Sequence, residues 1–343
     1  MSAALAPASL VPQKPGGSST PIRVLFCCDP GYFQHMAATL VSLLEHNRAH
    51  AVEIHLITSR RDAAREQMLA ATIESFANAR LVVHGFEWAQ DARWHTSHHI
   101  TRDTYIRLFA ADVLPAPIDR ILYLDADLLV LADLGPLWEV ELGDNILAAV
   151  PDPFGQDRRG ALGLSSQAPY VNGGVLLLNL ARWRSMAALE RLSAYIEQMG
   201  DRLEYHDQDA VNALFAEEIK IIDYRWNVQT RLWRLPRGET PSDPEAVERS
   251  MRNPGILHFT TVRKPWLWVM PTPHKDLYWQ YLRRTPWRDA APADRRASKL
   301  FQRAVNYACY ALRLNYTWER ILRRTTLGRI LVRLQGLMRT AKP

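Results

Sequence analysis

The stretch Ile121-Leu122-Tyr123-Leu124-Asp125-Ala126-Asp127 is apolar for four residues and then ends in two carboxylates. A run that is apolar at every position is typical of a strand covered on both faces, as in a parallel sheet. Such sheets bind ligands beyond the carboxyl ends of their strands, where Asp125 and Asp127 are expected to lie. Two carboxylates there could hold a hard divalent cation with positions open to diphosphate oxygens. Asp-x-Asp alone is also compatible with a turn or a helix cap.

Strand-sized apolar runs alternate with segments of helical period along the rest of the chain. Strands are predicted at 23–28, 52–58, 81–84, 120–124, 146–150, 175–179, 219–223 and 256–257, and helices include 104–113, 182–199 and 207–215. This order predicts an α/β fold with a Rossmann-like, mostly parallel central sheet flanked by helices. We expect residues 235–254, rich in Pro, Ser, Asp and Glu, to form a loop or lid.

The composition of the chain excludes a disordered or fibrous protein, because 48% of its 343 residues are hydrophobic and 23% are charged. Its most apolar window, 121–134, contains three aspartates, so no transmembrane helix is expected. Residues 1–21 are rich in Ala, Pro, Ser and Gly, which predicts a disordered lead-in and not a signal peptide. The three cysteines form neither a disulfide framework nor a CxxC metal pair. We therefore expect a cytoplasmic protein.

Charge is divided unevenly along the chain. Residues 295–343 hold 12 Lys and Arg against one acid, whereas residues 1–294 hold 30 basic and 35 acidic residues. Ile330, Leu334 and Leu337 share a helical stripe with arginines beside it, which is typical of an amphipathic helix on an anionic membrane surface. Residues 281–343 are therefore predicted to be a basic helical tail that associates peripherally with a membrane, or else packs as a solvated helix on the domain. The acidic body argues against a nucleic-acid partner.

Phosphate recognition by a glycine-rich loop is not indicated, because neither GxGxxG nor GxxxxGK[ST] occurs. A cation held by Asp125 and Asp127 is the expected means of neutralising phosphate. His258 ends a predicted strand, and a neutral imidazole is an acceptable third ligand for manganese beside two aspartates. A structural histidine is the alternative interpretation.

Several blocks of the sequence resemble glycosyltransferase family 8, which has the GT-A fold and includes lipopolysaccharide glucosyl- and galactosyltransferases and glycogenin. They lie in order at 28–32, 105–108 with 114–115, 120–127, 170–184 with 207–212, and 258–266. These blocks are similar to the family patterns A-D-x-N-Y, Y-x-R-L, D-x-D, D-Q-D-x-x-N and H-F-x-G-x-x-K-P-W. Because the resemblance spans about residues 22–280, we expect a GT-A glycosyltransferase domain there.

The resemblance implies a UDP-hexose donor and a Mn²⁺ or Mg²⁺ site made by Asp125, Asp127 and His258. The donor-binding residues are expected to be Cys27, Asp29, Tyr32, Arg107, Asp125, Ala126, Asn172 and Lys264. Asp29 would accept hydrogen bonds from uracil or ribose, and Arg107 would pair with a donor phosphate or a neighbouring carboxylate.

Asp207 and Gln208, at the start of the helix predicted over 207–215, are the expected catalytic residues. Asp207 shares a helical stripe with Val211 and Leu214, so we expect a buried carboxylate that binds substrate hydroxyls or a basic partner. In the resembling family the glutamine lies beside the anomeric carbon, which implies that Gln208 positions the sugar and stabilises charge rather than attacking. Asp152 is a further candidate for sugar binding, with a turn or cap as the alternative.

Two residues depart from the family pattern. Gly31 stands where the family often has Asn, which removes a side-chain hydrogen bond to the nucleotide. Thr261 stands where the family usually has Gly, and a β-branched residue resists both close backbone approach and a positive φ. These departures leave room for altered donor affinity or for an inactive member.

The sequence thus predicts a retaining, metal-dependent hexosyltransferase that moves glucose or galactose from a UDP-sugar to a saccharide acceptor. Lipopolysaccharide or another lipid-linked glycan is the expected acceptor, because it would explain the basic tail. One alternative is a catalytically silent glycan-binding homologue. A sugar nucleotidyltransferase is less favoured, because it would need a lysine-bearing, glycine-rich triphosphate loop that residues 29–32 do not supply.

Overall fold

The central sheet has eight strands in the order β1-β4-β3-β2-β5-β8-β7-β9. The structure is a computed structural model that describes residues 8–9, 20–88, 94, 102–235 and 241–312. The strands are β1 Ala8–Ser9, β2 Ile22–Cys27, β3 Val52–Thr58, β4 Ala79–Gly85, β5 Arg120–Leu124, β6 Leu128–Val130, β7 Leu147–Pro151, β8 Val171–Asn179, β9 Ile219–Ile221, β10 Val228–Gln229 and β11 Ile256–His258. A smaller sheet contains β6 and β11 as an antiparallel pair.

The α-helices are α1 Phe33–His46, α2 Ala63–Ile73, α3 Ala110–Val113, α4 Gly135–Trp138, α5 Gln156–Ala161, α6 Leu180–Ser185, α7 Ala188–Met199, α8 His206–Phe215, α9 Pro244–Arg252, α10 Lys275–Leu282 and α11 Leu300–Ala311. The longer 3₁₀ helices are Arg102–Phe109, Tyr224–Asn227 and Thr230–Arg234. Within the described residues, no helix combines the length and apolarity needed to cross a membrane.

Two compact units divide the chain. The first unit comprises residues 1–228, 241–258 and 280–289, and the second comprises 229–240, 259–279 and 290–343. The first unit contains the central sheet and its flanking helices. The structure describes the predicted C-terminal tail only as far as residue 312. The stripe of Ile330, Leu334 and Leu337 therefore lies outside the described residues.

The direction of β8 distinguishes this sheet from a fully parallel one. Strands β4, β3, β2 and β5 run parallel, as do β7 and β9, which agrees with the predicted α/β class. Strand β8 instead runs antiparallel to both β5 and β7. Because of this direction, the first residues of β8 and not its last residues meet the carboxyl end of β5. The predicted strand at 175–179 also extends back to Val171.

Three segments differ from the sequence predictions. The helix predicted over 182–199 is two helices, because Ala187 adopts a φ of 49° and interrupts the turn between α6 and α7. The loop or lid predicted over 235–254 is wrong at 244–252, where helix α9 begins with Asp243 accepting a hydrogen bond from Ala246 N. Ala8–Ser9 pairs with β4 inside the predicted lead-in, and the other residues before Thr20 lie outside the described part.

A buried polar cluster connects strands β3 and β4. His55 Nδ1 lies 2.9 Å from His84 Nε2, and His55 Nε2 lies 2.9 Å from a carboxylate oxygen of Glu53. Arg80 Nη2 lies 2.7 Å from the same carboxylate oxygen. Burial, together with the neighbouring His55, lowers the pKa of His84 to about 4. His84 is therefore neutral in the folded protein under ordinary conditions.

Acid should destabilise the fold through His84. The unfolded chain takes up a proton near the ordinary pKa of histidine, whereas folded His84 does so only near 4, so stability falls as the pH drops through this window. We expect a loss of about 2 kcal/mol between pH 7 and pH 5 from this group. His84→Gln, which can still hydrogen-bond to His55 but cannot titrate, should lose correspondingly less stability in urea unfolding at the two pH values. Equal losses in both proteins would contradict this assignment.

Candidate active site

The loop after β5 holds Asp125 and Asp127 in a fixed position. Burial raises the pKa of Tyr123, so its phenol keeps its proton and donates to Asp125 Oδ1 at 2.6 Å. Thr39, on helix α1, donates to the carbonyl oxygens of Leu128 at 2.7 Å and Ala126 at 3.2 Å. Helix α1 therefore anchors the backbone of the loop, and the strand anchors the first carboxylate.

The structure brings the three predicted metal ligands together. His258 Nε2 lies 3.3 Å from Asp127 Oδ1 and 3.5 Å from Asp125 Oδ2. One ligand atom from each residue falls within 4.8 Å of the other two. The register of the small sheet explains this meeting, because His258 pairs with Leu128, the residue directly after Asp127. Two carboxylates and an imidazole suit Mn²⁺, so these residues could hold a metal ion.

Gly174 on strand β8 leaves the space that this cluster occupies. A Cβ atom at position 174 would lie 2.1 Å from His258 Cε1 and 2.9 Å from Asp125 Oδ2. At the neighbouring Gly173, the nearest atom would be 3.4 Å away, an ordinary contact. The Asn-Gly-Gly block of β8 is therefore shaped by the site, with a stringent requirement for glycine at one of its two positions.

Arg107 lies at the centre of the charged groups. Its Nε is 2.8 Å from Asp207 Oδ2, and its Nη1 is 3.3 Å from Asp125 Oδ1 and donates to Gly173 O at 2.6 Å. Of the two partners predicted for Arg107, the structure places neighbouring carboxylates beside it. Its guanidinium also lies 4.6 Å from the centre of the Tyr123 ring.

Asp207 is buried at the start of α8, as its stripe predicts. Burial raises the pKa of its carboxyl group to about 6, and Arg107 opposes that rise. The group is therefore ionised at neutral pH, and it has the basic partner that the sequence predicted.

Gln208 is held by hydrogen bonds at both ends of its amide. Its Oε1 accepts from Gly173 N at 2.9 Å and from Asn172 Nδ2 at 3.2 Å, and its Nε2 donates to Tyr170 OH at 3.1 Å. Tyr170 in turn donates to Asp209 Oδ1 at 2.6 Å. The amide of Gln208 thus has one orientation, fixed by strand β8.

Asp209 is a residue whose part in the site the sequence analysis missed. It is fully buried, and its Oδ2 lies 2.6 Å from Arg158 Nη2. The sequence did mark Asp209 as the second acid of Asp-Gln-Asp. Its partners Arg158 and Tyr170 lie far away in the sequence, so residue spacing could not identify them. Through Tyr170, this ion pair supports Gln208.

Asp29 and Asp152 both close turns. Asp29 Oδ1 accepts from Gly31 N at 2.6 Å, and a Cβ at Gly31 would lie 2.8 Å from the same oxygen. The missing side chain at position 31 thus lets Asp29 fold back over the turn. Asp152 accepts from Phe154 N at 3.0 Å and from Asn172 Nδ2 at 3.3 Å, so it combines the turn role with a place beside Asn172.

Cys27 and Tyr32 contribute neutral groups near the carboxylates. Burial raises the pKa of the Cys27 thiol, with Arg107 opposing the rise, and the thiol stays protonated. Burial and then Asp127 raise the pKa of Tyr32, whose side chain remains partly exposed. Ala126, between the two aspartates, is buried.

Lys264 and Thr261 lie in the second unit. Lys264 Nζ donates to Phe259 O at 2.7 Å, so its predicted contact with a diphosphate stays a prediction. Thr261 adopts a φ of 70° in spite of its branched side chain, and its Oγ1 accepts from Arg263 N at 3.3 Å. Backbone strain of about 1–3 kcal/mol is typical of such a conformation. Position 261 therefore has the positive φ expected of the glycine in the family pattern, although a threonine occupies it.

Residues 23–269 match the model of glycosyl transferase family 8. The chain belongs to this family. It is 28% identical to General stress protein A of Bacillus subtilis over 273 residues, which are 78% of this chain and 94% of that protein. It is 22% identical to lipopolysaccharide 1,2-glucosyltransferase of Escherichia coli K12 over 291 residues, which are 83% and 85% of the two chains. The galactosyltransferase LgtC, crystallised with donor and acceptor sugar analogues, is 25% identical with a TM-score of 0.68, over 80% of this chain and 98% of LgtC.

Membership of family 8 makes the protein a glycosyltransferase. The likeness to LgtC confirms the predicted GT-A fold with its largely parallel sheet. The matched residues fall within the 22–280 range of the resemblance found in the sequence.

A methyl group at position 174 should distort the cluster of Asp125, Asp127 and His258, because His258 or Asp125 must move to admit it. We expect Gly174→Ala to weaken Mn²⁺ binding by about tenfold or more, measured by electron paramagnetic resonance of the free ion. Gly173→Ala, on the same strand, is the matched control and should change the affinity by less than about threefold. Similar affinities in the two variants would show that the space at Gly174 is not needed for the cation.

Proposed function

We propose that this family 8 glycosyltransferase is a retaining hexosyltransferase that moves glucose or galactose from a UDP-sugar to a saccharide acceptor. The observation that carries the proposal is the meeting of Asp125, Asp127 and His258 at the end of β5. A lipopolysaccharide glucosyltransferase among the relatives and a galactosyltransferase among the similar structures support a hexose as the transferred group.

Mn²⁺ or Mg²⁺ is the proposed cofactor, held by Asp125, Asp127 and His258. A bound cation would supply positive charge against the negative charge that develops on the departing diphosphate. The carboxylate oxygens and the imidazole nitrogen fit a hard or borderline divalent ion, and the space at Gly174 supports the assignment.

The donor is assigned to the residues around this cluster. Asp29 and Tyr32, after β2, are proposed to bind the nucleoside of the donor. Cys27 and Ala126 are proposed to contact the donor beside them. Arg107 and Asn172 are proposed to bind the sugar and diphosphate region, and Lys264 the diphosphate. The position of Arg107 among the carboxylates supports its part, since it contacts both Asp125 and Asp207.

Gln208 and Asp207 are proposed to act on the sugar without forming a bond to it. The amide oxygen of Gln208 already accepts two hydrogen bonds and carries no negative charge, so positioning and charge stabilisation suit it better than attack. Asp207 is ionised at neutral pH and can accept hydrogen bonds from sugar hydroxyls. Asp152, with Asp207, is the proposed contact for acceptor or sugar hydroxyls.

Transfer should depend on the cluster of Asp125, Asp127 and His258 and on a UDP-sugar. We expect UDP-glucose or UDP-galactose to bind with a Kd in roughly the micromolar to low-millimolar range, and only when Mn²⁺ is present. Asp127→Asn should reduce UDP release by about 100-fold or more, because it removes a charge that faces the cation. Asp133→Asn is the control, since Asp133 is an exposed residue that pairs with His50.

Equal UDP release by the Asp127→Asn variant and the wild type would overturn the role of Asp127 in transfer, and equal donor affinity in chelator would overturn the metal requirement. A silent glycan-binding homologue would bind acceptor without releasing UDP. A nucleotidyltransferase would consume a nucleoside triphosphate and release pyrophosphate.

We further propose that the enzyme is cytoplasmic and works at an anionic membrane surface on lipopolysaccharide or another lipid-linked glycan. Apolar residues support this at the start of α11, where Leu300 and Phe301 are 58% and 66% exposed. Arg295 and Arg296, also exposed, stand just before them. Basic charge beside exposed apolar side chains suits a surface of anionic headgroups.

Membrane association is measurable by co-sedimentation with lipid vesicles. We expect the protein to pellet with phosphatidylglycerol vesicles and not with phosphatidylcholine vesicles, and to be released by salt. The paired change Leu300→Ser and Phe301→Ser should reduce the bound fraction, while Ile221→Ser, at another exposed apolar position, should not. Binding that ignores lipid charge would contradict the proposal.

A further inference from the structure

A chain of side-chain amides connects His258 to the start of α8. Asn227 Oδ1 lies 2.9 Å from His258 Nδ1, and Asn227 Nδ2 donates to Asn172 Oδ1 at 2.8 Å. Asn172 Nδ2 donates to Gln208 Oε1 at 3.2 Å. Asn227, Asn172 and His258 are buried, with 2%, 8% and 4% of their surfaces exposed. Asn227 belongs to no motif used above.

A backbone amide determines which group donates and which accepts in each hydrogen bond of this series of side chains. Gly174 N donates to Asn172 Oδ1 at 3.0 Å, and a backbone N–H can only donate. The oxygen of Asn172 therefore faces Gly174, and Asn227 must present its NH₂ group to that oxygen. It follows that the oxygen of Asn227 faces His258, so His258 must carry a proton on Nδ1.

The proton on Nδ1 decides what the other nitrogen of His258 can do. In a neutral imidazole, a proton on Nδ1 leaves the lone pair on Nε2. Nε2 is the atom that faces Asp125 and Asp127. With the opposite tautomer, an N–H would point at these carboxylates and no lone pair would be available for a cation.

We propose that Asn227 is a positioning residue that holds His258 in the Nδ1–H tautomer and so presents the Nε2 lone pair to the cation site. The inference rests on the proposed metal-dependent function. Because the direction of the chain is set by Gly174 N, the strand that closes the cluster also sets the tautomer of its histidine. A hydrogen bond from the second nitrogen of a metal-binding histidine commonly tunes affinity in this way.

The same amide chain reaches Gln208. The oxygen of Gln208 receives the NH₂ group of Asn172, whose own orientation depends on Gly174 and Asn227. Removing the NH₂ group of Asn227 alone should therefore disturb Gln208 through Asn172 and leave His258 in place. This separation makes the two ends of the chain testable independently.

The first experiment reads the tautomer of His258 directly in the metal-free protein. Protein labelled with ¹⁵N-histidine is studied by NMR at about pH 9, where imidazole is ordinarily neutral. Loss of the signal in His258→Gln identifies the residue. We expect the wild type to carry the proton on Nδ1, and a proton on Nε2 would overturn the proposal without any variant of Asn227.

The second experiment compares two substitutions that remove different parts of the Asn227 side chain. Asn227→Asp keeps an oxygen for His258 and loses the donor to Asn172, so Mn²⁺ affinity should stay within about threefold or tighten while kcat falls. Asn227→Leu removes both groups at similar volume, and Mn²⁺ affinity should fall by about 10- to 100-fold. Affinity is measured with Mn²⁺ alone by electron paramagnetic resonance.

Asn47→Leu is the control for the loss of a buried asparagine, because Asn47 donates to Leu43 O and accepts from Leu134 N away from the site. It should destabilise the fold and leave Mn²⁺ affinity unchanged. Retention of both the Nδ1–H tautomer and the affinity in Asn227→Leu would overturn the proposal. A wild type with the expected tautomer that binds no Mn²⁺ would instead reject the metal-dependent function and leave the orientation of His258 by Asn227 standing.

Discussion

The hydrogen bond from Asp125 N to Gly174 O, at 2.9 Å, is the contact on which the rest of the site depends. It exists because β8 runs antiparallel to β5, so that the first residues of β8 lie beside the carboxyl end of β5. This direction brings a block of polar and small residues to the place where a parallel strand would end. Gly173 then supplies the backbone groups that bind Arg107 and Gln208. Asn172 reaches His258 only through Asn227, which hydrogen-bonds to both residues.

Backbone groups of β8 help to fix the orientation of several side chains in the site. Gly173 offers its N–H to Gln208 and its carbonyl to Arg107, and Gly174 N directs the amide of Asn172. Backbone hydrogen bonds of a central strand are among the last to open in a folded domain. The site therefore takes much of its rigidity from the sheet, and the buried Arg107 is held there by Gly173 O together with Asp125 and Asp207.

Much of the sheet was readable from the sequence, because strands buried on both faces are continuous apolar runs; 52–58 and 120–124 agree with the structure to the residue. The grouping of Asp125, Asp127 and His258 was expected from their ligand chemistry together with the family resemblance, and the register of β6 with β11 accounts for it. The direction of β8 was not predictable, because an apolar run looks the same whether the strand lies parallel or antiparallel to its neighbours. Asn227 and Asp209 were missed because their partners are distant in sequence, and helix α9 was missed although Asp243-Pro244 is a typical helix start.

The absence of free volume at Gly174 has a consequence for how this enzyme could diversify. Any side chain there collides with His258, so position 174 cannot accept another residue while His258 keeps its place. Changes to this part of the strand must then fall at positions with space around them, such as Gly173. The strand thus sets position 174, which must stay glycine while the cluster keeps its place, beside position 173, where a small side chain would make only an ordinary contact.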